Sequence, residues 1–222
     1  MNNKTISELF FERFCDENNI LWRSIETKSK KGEKTPDYEL IWNEQKIIVE
    51  IKQFDSNKED KRVREDSKKR NFAGYWEEPG RRVRLKIKSA LPQLREISNN
   101  KFPAIIILYD NVPIRALDLG DIKSAMYGEE KVTVLVPEGM KAKPIIGYVG
   151  FGGKRMTTPQ DNRTLSAIAH LYKFQNDLLG ITFYHNIYAR CPLDPNCIRG
   201  ENIKHFTLSK KTEEENQEWY EI

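Results

Sequence analysis

Asp37, Glu50 and Lys52 are the residues of this chain whose types and spacing could do chemistry together. The stretch Ile47-Ile48-Val49-Glu50-Ile51-Lys52 alternates as a strand, so Ile48, Glu50 and Lys52 share one face and Ile47, Val49 and Ile51 the other. A second extended run, Asp37 to Trp42, precedes it across Asn43-Glu44. A two-residue hairpin loop there pairs Trp42 with Gln45, and counting outward sets Asp37 opposite Glu50, their Cβ atoms about 4.5–5.5 Å apart. Two carboxylates that close repel by about 4 kcal/mol at 4 Å and an effective dielectric near 20, and a bound cation reverses the sign. Hard oxygen donors in small number suit Mg²⁺ or Mn²⁺, which keep several waters and bridge to phosphate oxygens. Held there, such an ion could polarise a phosphoryl group and lower the pKa of an attacking water. Lys52, on the same face, can orient that water or offset charge developing on the phosphate.

The tripeptide acid-x-Lys has little weight alone, since it also stands at Glu26, Glu44, Glu59, Asp66, Asp121 and Glu129. Context selects Glu50, which lies in an apolar alternating strand and follows the chain's sole Pro-Asp pair, Pro36-Asp37. The plain alternatives are a turn aspartate after proline and a solvated strand face. Ile48 on the same face as Glu50 and Lys52 weighs against the second.

Pro36-Asp37 followed by Glu50-Ile51-Lys52 after a short hairpin resembles the signature of PD-(D/E)xK phosphodiesterases, the superfamily of restriction endonucleases and archaeal Holliday-junction resolvases. The resemblance covers about Thr5 to Gln53 by motif and extends as a fold pattern through Val136. It implies an α/β restriction endonuclease-like core in αβββαβ order, with a central mixed sheet flanked by helices. It implies Mg²⁺ or Mn²⁺ held by Asp37, Glu50 and the backbone carbonyl of Ile51, with a further acidic ligand on the first helix at Glu8, or alternatively Glu12. Gln93 resembles the polar helix residue that some members place near the site, although a surface glutamine is the favoured explanation. Gln53 alternates away from Lys52 and is expected to be structural.

The expected activity is metal-dependent hydrolysis of nucleic acid, DNA before RNA, with a non-catalytic nucleic-acid-binding or scaffold protein on the same fold as the alternative. The 222 residues carry a net charge of +4, which permits such a partner without demanding it. Basic residues cluster at Lys28 to Lys34, Lys58 to Arg70 and Arg81 to Lys88, flanking the site. Lys30, Lys31, Arg81, Arg82, Arg84, Lys88 and Gln93 are the candidate nucleic-acid contacts, with Tyr75 or Trp76 available to stack on an unpaired base. Three cysteines without a C-x-x-C pair suggest neither a disulfide framework nor zinc, and a reducing, cytoplasmic setting is expected. Glu8, Glu12 and Arg13 interrupt any apolar leader at the N-terminus, and no membrane span is expected. Oligomeric state is open, a homodimer included.

Other motifs are weaker. Gly147, Gly150, Gly152, Gly153 and Lys154 suggest a glycine-rich loop, but their spacing is not that of a nucleotide-triphosphate loop. His185-Asn186 ends an apolar strand without a paired metal ligand and is read as structural.

The elements that must position the trio follow from periodicity. A helix capped at Thr5 or Ser7 runs to Asn18, a strand covers Leu21 to Glu26, and the hairpin follows. Phe54 to Gly80 shows no period and is expected to be a flexible insertion or lid. Arg82 to Ile97 reads as a helix despite Pro92, Ala104 to Tyr109 as a strand covered on both faces, Leu117 to Tyr127 as a helix, and Val132 to Val136 as another covered strand. Arg163 to Leu178 reads as an amphipathic helix, Ile181 to Ile187 as a strand, and residues 211–222 as a polar tail. One domain spanning 1–222 is expected.

Overall fold

Two apolar faces, each continuous across several strands, define the architecture in the computed structural model, which describes residues 4–25, 35–42, 45–70, 78–112, 117–136, 143, 145–209 and 218–222. In chain order the elements are α1 (Ile6–Glu17), β1 (Leu21–Ser24), β2 (Tyr38–Trp42), β3 (Gln45–Phe54), α2 (Lys58–Arg70), α3 (Arg81–Ser98), β4 (Ala104–Asp110), α4 (Leu119–Tyr127), β5 (Glu130–Leu135), β6 (Ile145–Phe151), β7 (Leu165–Lys173), β8 (Leu179–His185), β9 (Ile203–Leu208) and β10 (Trp219–Glu221). Eight strands form one mixed sheet in the order β1-β2-β3-β4-β7-β8-β9-β10, and β5 and β6 form a separate pair. β3, β4 and β7 run parallel at its centre.

Alternation along the strands assigns the layers. Ile47, Val49 and Ile51 of β3 and Ile105 and Ile107 of β4 pack with Phe11, Phe14 and Cys15 of α1. Ile48 of β3 and Ile106 and Leu108 of β4 pack on the other face with Val83, Ile87, Leu91 and Leu94 of α3 and Ile122 and Met126 of α4. The chain is therefore a mixed α/β structure, its central sheet flanked by helices. Ile105 to Leu108 have no solvent exposure, and each such side chain contributes about 1.5–3 kcal/mol by leaving water. That burial lets α3 keep Pro92 in its interior, where the missing N–H costs about 3 kcal/mol. Among the described residues no helix is long and apolar enough to cross a membrane.

Several expectations need correction. Lys58–Arg70, inside the expected flexible insertion, is a helix. Asn57 and Asp60 cap it reciprocally, each side chain accepting from the other's backbone N–H at 2.8 Å. Its last turn carries Lys68, Lys69 and Arg70, which suits the helix dipole. Arg163 to Leu178 is not a helix: Leu165–Lys173 is β7, and a turn at Asn176-Asp177 leads into β8. Gly147 and Gly150 lie inside β6 rather than in a loop. β5 is a strand as expected but not a core one, since Val134, Leu135 and Val136 are exposed and β7 takes the edge of β4 instead. Within the expected polar tail, Trp219–Glu221 pair with β9. The basic loop at Lys28 to Lys34 and the aromatics Phe72, Tyr75 and Trp76 lie outside the described residues.

Candidate active site

The hairpin register is the one that two-residue counting gives: Trp42 pairs with Gln45, Leu40 with Ile47, and Tyr38 with Val49. Asp37, the next residue outward, therefore stands at the level of Glu50. Its backbone N–H donates to Val49 O at 3.1 Å and its carbonyl accepts from Ile25 at 3.0 Å, so it is tied to both neighbouring strands. The Asp37 carboxylate accepts the N–H of Ile51 at 2.7 Å. In an extended strand a residue's N–H and C=O point to the same side, so the Ile51 carbonyl also opens toward Asp37, just past the end of β2.

Glu50 lies on the α3 face and is 1% exposed. Its Oε1 accepts from the Lys52 ammonium, while Oε2 is buried without a hydrogen-bond partner. The only other such side-chain atoms among the described residues are the indole nitrogens of Trp42 and Trp219. An orphaned carboxylate oxygen is far more costly than an orphaned indole N–H. Burial, reinforced by the charge of Asp37 and partly offset by Lys52 and by the nearby Gln93 amide, pushes Glu50 up to about 7. Burial also raises Asp37, against the opposing pull of the Ile51 N–H and Lys52, and the Glu8 charge adds to the rise. Two carboxylates and one ammonium leave the cluster one negative charge in excess when both acids are ionised. Among the described residues no three His, Cys, Asp or Glu side chains surround a common point. The donor set for a cation is thus two carboxylates and a backbone carbonyl, which suits a small hard ion that keeps most of its waters.

Helix α1 does not deliver a carboxylate directly. Glu8 accepts from the Thr5 N–H and hydroxyl at 2.6 Å, in a capping box that starts the helix, and reaches Asp37 only through its charge. Glu12 pairs with Lys4 and accepts from the Tyr38 hydroxyl at 2.7 Å, on the α1 face. Gln53 accepts from the Ser7 N–H at 3.0 Å and so joins β3 to α1, the structural role expected of it.

Helix α3 contributes more than its sequence suggested. Gln93 is 9% exposed, not a surface residue, and its amide donates to Thr35 O at 3.1 Å, two residues before Asp37. Lys86 was not singled out from its basic run, yet it lies over the Phe54 ring at 5.4 Å, and burial followed by the charge of Lys52 lowers its pKa. Arg82, Lys86 and Gln93 form one helical row facing the end of β3, a spacing the sequence does contain. Arg82 is held by Asp60 at 3.3 Å and by Asp55 O at 3.0 Å. Arg84 is committed to Glu78 and Ser124 O. Arg81 and Lys88 are exposed, and Lys30 and Lys31 lie outside the described residues. His185 is buried against His205, with 2.9 Å between ring nitrogens, and stands apart from the trio on β8. No protein-family model, curated protein or solved structure matches the chain.

Proposed function

We propose that the chain is a metal-dependent phosphodiesterase acting on DNA, built on a restriction endonuclease-like core of the PD-(D/E)xK type. The observation that carries this reading is the buried Glu50 carboxylate at the level of Asp37, one oxygen on Lys52 and the other without a partner. A cation between the two carboxylates would give that oxygen a partner and offset the negative charge that Asp37 and Glu50 share. Asp37, Glu50 and the Ile51 carbonyl would hold Mg²⁺ or Mn²⁺, which when bound supplies Lewis-acid polarisation of the phosphoryl group and a more acidic water. Asp37 and Glu50 share one face of the hairpin, so their carboxylates would position that ion rather than touch the anionic phosphate themselves. Lys52, 22% exposed at the side chain and next to Glu50, offsets charge developing on the phosphate oxygens. Lys86, one row away on α3, adds a second positive charge beside it. Gln93 fixes the segment that carries Asp37.

The test is incubation of the protein with supercoiled plasmid, single-stranded DNA and RNA, with Mg²⁺ or Mn²⁺ and with chelator. Metal-dependent cutting that Asp37→Ala and Lys52→Ala each reduce at least about a hundredfold supports the proposal. Cutting that survives both substitutions overturns it. Binding without cutting would favour the non-catalytic scaffold, and preference for the RNA arm would change the substrate but not the chemistry.

A further inference from the structure

Arg95, Arg163 and Arg190 line one cavity of about 280 Å³, together with Asn100, Asn162 and Thr164. It sits where β4 and β7 begin, at the paired residues Ala104 and Leu165, and so toward the opposite end of the strands from Lys52. No carboxylate lines it, and among the described residues none of the three arginines has an ion-pair partner.

Neutral groups hold the guanidinium groups of Arg95 and Arg163 instead. Arg95 donates to the Asn162 side-chain oxygen, and Asn162 is itself fixed on the Met156 carbonyl in a left-handed conformation, φ 52°. Arg163 donates through Nε to Tyr188 O at 3.1 Å, which leaves both of its terminal nitrogens for another acceptor. The Arg190 N–H donates to Arg163 O at 2.8 Å, joining the two segments that carry these guanidinium groups. Thr164 donates to the Asn100 side-chain oxygen at 2.8 Å across the same wall.

Three guanidinium groups gathered around one cavity without a counter-charge repel one another, and a fixed planar fork is the geometry that grips phosphate in bidentate fashion. The cavity exceeds what a lone phosphate would fill, and the amides of Asn100 and Gln160 offer donors and an acceptor, as the edge of a nucleobase requires. We propose that this cavity binds the phosphate of a nucleotide, with the attached nucleoside against the amide wall. The same chemistry is presented by a free mononucleotide and by the phosphorylated end of a nucleic-acid strand. The proposal stands on this cavity alone and does not depend on the nuclease reading.

Binding is measured by fluorescence polarisation in chelator, where metal-dependent cutting is off. The probe is a short 3′-labelled oligodeoxynucleotide carrying a 5′-phosphate, compared with its 5′-hydroxyl twin, and AMP and inorganic phosphate serve as competitors. A 5′-phosphate preference of about tenfold or more that Arg163→Ala or Arg190→Gln removes identifies a strand end. Competition by AMP without any end preference, lost in the same variants, identifies a free nucleotide. Arg190 is exposed, so Arg190→Gln should fold normally, and its thermal midpoint verifies this. Affinities for all probes unchanged by both substitutions in folded protein overturn the proposal. Asp37→Ala should retain this binding while losing cutting, so failure of either idea is visible separately.

Discussion

Replacing Glu50 with glutamine should stabilise the metal-free protein at alkaline pH. An ordinary glutamate releases its proton near 4.5, whereas burial beside Asp37 holds the proton on Glu50 up to about 7. Below 4.5 the folded and unfolded states both carry the proton and Glu50 contributes no pH dependence. Between 4.5 and 7 the folded state keeps a proton that the unfolded state has released, so stability falls as pH rises. Above 7 the full penalty is present. At ~1.36 kcal/mol per pH unit it amounts to about 3 kcal/mol. Glu50→Gln is neutral at every pH and escapes it. At pH 8 in chelator the variant should therefore be more stable than the parent by about 2–3 kcal/mol, or about 5–10 °C in thermal midpoint for a chain of this size. At pH 4.5 the two should be nearly equal. Millimolar Mn²⁺ at pH 8 should recover the parent and leave the variant unchanged. Denaturant titrations at the two pH values read all of this. A variant less stable than the parent by 3 kcal/mol or more at pH 8 would show that Glu50 and Lys52 form a structural ion pair, and the reasoning would be refuted.

Three further outcomes follow from the same geometry. Glu8→Gln keeps the acceptor of the capping box, so stability should change by less than about 0.5 kcal/mol and cleavage by less than about threefold; a hundredfold loss of cleavage would make Glu8 a metal ligand instead. Gln93→Ala should cost about 1 kcal/mol of stability through the lost bond to Thr35 O and lower the cleavage rate about tenfold by loosening the segment before Asp37, and an unchanged rate would remove Gln93 from the site. Asn57→Ala should weaken the α2 cap by about 1 kcal/mol and speed amide exchange within Lys58–Arg70 while leaving β3 protected; uniform exchange across both would show that α2 is not capped as described.

Why the trio could be placed from sequence is specific to hairpins. A strand pair has period two and a two-residue turn fixes its register, so the positions of Asp37, Glu50 and Lys52 followed from counting. The depth of Glu50 did not, because it depends on α3 lying across β3, a contact between distant segments. The same limit hid Gln93 and Lys86, whose helical row with Arg82 gains meaning only once β3 is seen beneath it. Arg163 to Leu178 misled for a different reason. In β7, Ala167, Ala169 and Leu171 face one layer while Ile168 faces the other, and a strand buried on both faces loses the alternation that distinguishes it from a helix. The Asn176-Asp177 turn was the available warning. Helix α2 was missed because its mean character is polar and only Val63 and Asp60 are buried, yet the Asn57-to-Asp60 capping pair marked its start. The cavity of three arginines gathers side chains from α3 and from two loops near β7 and β8, and no local pattern announces it.

A crystal of the protein soaked in Mn²⁺, examined by anomalous diffraction, puts the question most directly. The expected result is a single strong peak about 2.1 Å from a carboxylate oxygen of Asp37 and from Glu50 Oε2, with the Ile51 carbonyl completing the protein's share of the ligands. Protein that cuts DNA in Mn²⁺ but shows no ion between Asp37 and Glu50 would contradict it.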